Sequence, residues 1–85
     1  MAPQALFLMN GPFARASAKK LIARPEVQKL GDPGERLDHL YRMLFGRAPD
    51  AEEREMALAF VSRGEGHWID LAHGLLMTNE FAFVD

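Results

Sequence analysis

The stretch from Leu40 to Glu53 leaves few foldings open other than two short helices joined by a tight reversal. Leu37, Leu40, Tyr41, Leu44 and Phe45 recur at the i, i+3, i+4, i+7, i+8 spacing that puts side chains on one buried helical face. Gly46 follows directly and suits a left-handed stop, a conformation that costs a residue with a Cβ about 1–2 kcal/mol. Arg47-Ala48-Pro49 then crosses to Asp50, an N-cap residue with Glu53 at the reciprocal capping-box position. So short a connection makes the two helices neighbours.

The same signals continue on both sides. Asp32, Pro33 and Glu35 read as N-cap, first helical residue and capping-box partner of the helix that carries Leu37. Beyond Asp50, the inner side of the next helix is expected to hold Met56, Ala57, Phe60 and Val61, with Ser62-Arg63-Gly64 closing it. After Glu65-Gly66, the residues Trp68, Leu71, Ala72, Leu75 and Leu76 repeat the helical spacing.

Toward the N-terminus, Pro3 opens a short helix over residues 4–9 that stops at Asn10-Gly11. Asn10 then caps a helix running to Arg24, with Phe13, Leu21 and Ile22 inside and Arg15, Lys19, Lys20 and Arg24 outside. Arg24 to Gly34 reads as a linker pinned by Val27 and Leu30. At the other end, Asn79 is a helix-end cap, and Phe81, Phe83 and Val84 form an apolar tail expected to fold back onto the bundle. The expected fold is all-α, a single domain over residues 1–85 with four main helices plus a short N-terminal one. Its core is Leu40, Tyr41, Leu44, Phe45, Phe60, Trp68, Leu71 and Leu75.

Composition narrows the function classes. With 48% hydrophobic and 26% charged residues the chain is ordinary globular material, which argues against disorder. Cysteine is absent, removing disulfides, thiolate metal ligands and a Cys nucleophile. A formal charge of -2 gives no general attraction to nucleic acid or anionic lipid. No uninterrupted apolar run, that from Ala5 to Met9 included, comes near the roughly 18 residues of a membrane span. Met1-Ala2-Pro3-Gln4 lacks a basic n-region and is no signal peptide, so the chain is expected to be either cytoplasmic or a piece of a longer exported parent.

No catalytic, cofactor-binding or metal-binding residue is expected. His67, Asp70 and His73 are three apart, but each such step rotates about 60° around a helix, which leaves the two histidines about 120° apart. His39 is expected at the surface, and Ser17 and Ser62 sit on no nucleophile turn. Glu52, Glu53 and Glu55 match the positive first turn of a helix without any catalytic role. The turn at Gly46 could suggest a DNA-binding helix-turn-helix, but its second helix begins Asp-Ala-Glu-Glu-Arg-Glu, an end that phosphate would repel. Arg47 is expected to tie the turn to a carboxylate, with Asp50 or Glu80 as candidates and a solvated arginine as the alternative.

Three stretches taken together carry a family resemblance: Pro3 to Phe13 with its Asn10-Gly11-Pro12-Phe13, Leu40 to Asp50, and Leu75 to Asp85 with its Met77-Thr78-Asn79-Glu80-Phe81. They resemble the C-terminal end of the large planctomycete-type proteins of unknown function, whose longer members carry a cytochrome-c-like haem segment and are predicted to be exported. Family members commonly read Asn-Ser-Pro-Phe and Asn-Ser-Asn-Glu-Phe at the first and last of these motifs. Leu40 to Phe81 is also similar to an extracellular helical domain of surface and calcium-repeat proteins, which leaves the Gln4-to-Phe13 stretch unexplained.

The first resemblance implies a terminal helical module of an exported, periplasmic or cell-surface parent, with no cofactor of its own. Its partner would be the remainder of that parent, or a second copy through an apolar patch. The competing expectation is that Asn10, Asn79 or His73 supplies polar groups to an active site completed by a parent that works in redox chemistry or polysaccharide breakdown.

Overall fold

The computed structural model describes residues 11–78. Among them the chain is all-α, with five helices: α1 (Gly11–Ile22), α2 (Pro25–Gln28), α3 (Pro33–Phe45), α4 (Ala51–Val61) and α5 (His67–Leu76). The expected helix over residues 4–9, the caps Asn10 and Asn79 and the Phe81/Phe83/Val84 tail lie outside the described residues.

Helix α1 packs along α5 through Ala14, Ala18 and Ile22, spaced four apart, with Ala72 of α5 in the same core. Ala14, Ala18 and Ala72 are fully buried, and side chains this small let two helices approach closely. Phe13 is one residue off that stripe and is 57% exposed, which corrects its expected place inside. Arg15 reaches across to Asp70 of α5 in an ion pair between half-exposed side chains. Because Ala18 is fully buried in the α1–α5 seam, Ala18→Leu should destabilise the fold by about 1–3 kcal/mol in urea denaturation.

The expected linker contains a turn of helix. Pro25 starts α2 from an extended Arg24, and Val27 is fully buried. The Gln28 side chain donates to the Ile22 carbonyl at 2.8 Å, tying α2 to the end of α1. Proline punctuates a loop and also presets the φ of a first helical turn, and here the second role applies.

Helix α3 begins at Asp32, whose carboxylate accepts the Glu35 N–H at 3.0 Å without the reciprocal bond from Glu35. It ends at Gly46 in the left-handed region, φ 73°, with the Gly46 N–H on the Arg42 carbonyl. Helix α4 starts with a complete capping box: Glu53 N–H to Asp50 at 2.8 Å and Asp50 N–H to Glu53 at 2.9 Å.

Leu37 and Leu40 are fully buried, and Tyr41, Val61, Trp68, Leu75 and Leu76 complete the centre. Leu44, Phe45, Phe60 and Leu71, expected in the core, are half-buried around its edge. Met56, expected inside, is 68% exposed. Among the described residues no helix is long and apolar enough to cross a membrane.

Candidate functional site

The Gly46 turn delivers Arg47 to Glu53. The guanidinium makes two parallel bonds to that carboxylate, at 2.9 and 3.1 Å, and a third to the Ala48 carbonyl at 3.0 Å. It also lies over the rings of Tyr41 and Phe45, 5.5 and 5.8 Å from their centres, which pack edge to face. The expected tie to a carboxylate is present, but the partner is Glu53 rather than Asp50; Glu80 lies outside the described residues. Glu53 Oε1 accepts both the Asp50 N–H of the capping box and one guanidinium N–H, using its two lone pairs, while Oε2 accepts the other.

The bond from Arg47, reinforced by the Asp50 N–H, holds the Glu53 carboxyl below its ordinary value of 4.5. A depressed carboxylate favours the folded state above its ordinary pKa, and that contribution is lost as pH falls through the folded-state value. Glu53→Gln should therefore flatten the acid side of the stability–pH curve below about pH 4.5. At neutral pH it should cost about 1 kcal/mol, read from denaturant midpoints at several pH values.

A second cluster went unrecognised in the sequence. The Arg36 side chain is only 8% exposed; it donates to the Leu30 carbonyl at 3.2 Å and to Glu65 at 2.7 Å, and lies 5.1 Å over the Trp68 ring. Arg36 precedes Leu40 and Leu44 on the same four-residue stripe, so its position was readable from the spacing. With Asp32, Arg54, Ser62 and Glu65 it lines a cleft of about 510 Å³ floored by Trp68. Arg54 pairs with Asp38 at 2.6 Å and lies across Gly34, where a Cβ would meet it at 2.5 Å. Each arginine of this cleft is matched by a carboxylate, so the cleft clamps α3 to α4 and to the turn before α5.

The histidines do not converge. His67 packs edge-on against Phe60 at 5.0 Å, Asp70 is held below its ordinary carboxylate range by its bond from Arg15, and His73 is half-buried. Among the described residues no group of three His, Cys, Asp or Glu side chains is placed to hold a metal ion. His39, expected at the surface, is half-buried, with its Nε2 buried and unpartnered among the described residues. In the outward basic cluster, Arg24 pairs with Glu26 at 2.7 Å.

The outer side of α4 carries apolar surface that the core does not explain. This helix is apolar on two sides: Ala57 and Val61 point into the bundle, while Met56 and Ala59 are exposed and Phe60 is half-exposed. Met56, Ala59, Phe60 and Arg63 surround a shallow hollow of about 320 Å³. Beside it runs a groove of about 410 Å³, lined by Tyr41, Glu53, Met56, Ala57, Phe60 and Leu71. The spacing of Met56 and Phe60 matches an inner stripe as well as an outer one, which is why sequence periodicity misplaced Met56.

Residues 1–61 match the family model described as "PSD1: Protein of unknown function (DUF1553)". No curated protein and no solved structure gives a match.

Proposed function

The chain belongs to the DUF1553 family of unknown function, and from that membership we propose that it is a non-catalytic helical structural and interaction module at the C-terminal end of a larger, exported planctomycete-type parent. The module contributes a contact surface, and any redox or polysaccharide chemistry resides in the remainder of the parent. The observation that carries this reading is the outer side of α4, where exposed Met56 and Ala59 and half-exposed Phe60 surround a hollow beside a groove. Among the described residues, three carboxylates have a lowered pKa, and each shift has a partner that accounts for it. Glu26, Glu53 and Asp70 owe their shifts first to a helix N-terminal backbone N–H, to Arg47 and to Arg15 in turn.

A photo-crosslinking amino acid at Met56 in the natural full-length chain tests the proposal. The expected result is a defined crosslinked product, from within the parent or from a second copy, that a crosslinker at exposed Lys19 does not give. Equal, diffuse labelling from both positions would contradict a contact surface on α4.

A further inference from the structure

Resting on that reading, we propose that the partner of the α4 surface is the same surface of a second copy, packed antiparallel about a two-fold axis. Glu52, Met56, Ala59 and Arg63 follow one another at i, i+4, i+7 and i+11, a single stripe along the exposed side of α4 and its closing turn, and all four are exposed. The stripe is self-complementary. It has an acidic residue at its start, a basic one at its end, a large flexible side chain and a small one between. Met56 stands four residues after Glu52, and Ala59 stands four before Arg63. One antiparallel register therefore sets Glu52 against the partner subunit's Arg63 and Met56 against the partner subunit's Ala59, each pair occurring twice by symmetry.

The hollow between Met56, Ala59, Phe60 and Arg63 is then where the facing methionine enters. Methionine is the side chain best suited to fill an irregular gap, and alanine lets two helices approach to about 8 Å. Among the described residues neither Glu52 nor Arg63 takes part in an ion pair within its own chain, so both charges are available to the second copy. A parallel pairing would set Glu52 against Glu52 and Arg63 against Arg63, which repel. Because α4 has only 11 residues, the contact is smaller than the roughly 1,200–2,000 Å² of a standard interface, and the dimer is weak, with dissociation on the order of 100 μM.

Sedimentation velocity on the 85-residue chain, from about 10 μM to 1 mM, tests this. The expected result is a reversible monomer–dimer equilibrium. Arg63→Glu should weaken it by about tenfold or more, since both symmetric contacts become repulsive, and the swap Glu52→Arg with Arg63→Glu should return it to within about threefold of the starting value. Met56→Glu, at a position exposed in the monomer, should abolish the dimer while circular dichroism shows the helices intact. A chain that stays monomeric to 1 mM, or a dimer indifferent to both Arg63→Glu and Met56→Glu, would overturn the proposal. A monomer whose Met56 crosslinks to another part of its parent would sink self-pairing and leave the interaction-module reading standing; no specific crosslink from Met56 would remove both.

Discussion

Trp68→Ala is expected to cost about 3–5 kcal/mol, the largest loss from any single truncation in this domain. Trp68 is 4% exposed, the only tryptophan in the chain, and the floor on which Arg36 lies. Removing the indole deletes apolar burial, leaves a cavity between α3, α4 and α5, and takes the ring from beneath a buried guanidinium. A domain of this length has a total stability of only about 4–13 kcal/mol, so the variant should be partly or wholly unfolded near 37 °C. Urea denaturation followed by circular dichroism measures it, since the fluorescent reporter is removed by the substitution. Trp68→Phe, which keeps a ring under Arg36, should lose less than half as much. A loss below about 1 kcal/mol for the alanine variant would mean that Trp68 is not the centre of the core.

Leu40→Ala is expected to cost about 2–5 kcal/mol. Leu40 is fully buried beside Leu37, whereas Leu44, one turn later on the same stripe, is half-buried. Leu44→Ala should therefore cost clearly less, because its site already opens toward solvent and part of its surface is never removed from water. The pair is best read as a difference under identical conditions. Equal losses would show that the stripe is buried uniformly, contrary to the observed edge of the core.

The contrast between Leu40 and Leu44 also shows what kind of information the residue order carries. The helical class, the stop at Gly46 and the restart at Asp50 were legible because each rests on local chemistry. Orphaned backbone groups at a helix end take a partner within a few residues, and a left-handed turn selects glycine by sterics alone. The tie of Arg47 to a carboxylate was half legible. A fork-shaped cation in a tight turn needs an acceptor, but the choice of Glu53 rests on the course of the turn in space, which brings both its oxygens to the guanidinium at 2.9 and 3.1 Å.

Phe13 and Met56 were placed inside because each fits an apolar spacing, and spacing does not say which of two apolar faces meets a neighbour. Phe13 falls one residue off the buried Ala14, Ala18, Ile22 stripe of α1, and the positions of α3 and α5 decide that Ala57 and Val61 of α4 point inward. The same ambiguity conceals the candidate site in the sequence, where the spacing puts Met56 on the inner side of its helix. Arg36 was missed for the opposite reason: a charge on an apolar stripe is discounted unless a carboxylate such as Glu65 is brought to it from a distant turn.

Pairing of the exposed α4 stripe with the same stripe of a second copy is tested most directly by a dilution series of amide NMR spectra on the unmodified chain. Self-pairing predicts concentration-dependent shifts grouped on Glu52, Glu55, Met56, Ala59, Phe60 and Arg63, with Lys19, Lys20 and Glu26 on the far helices unchanged. Shifts grouped on α1 or α2 instead, or spectra that do not change up to about 1 mM, would contradict it.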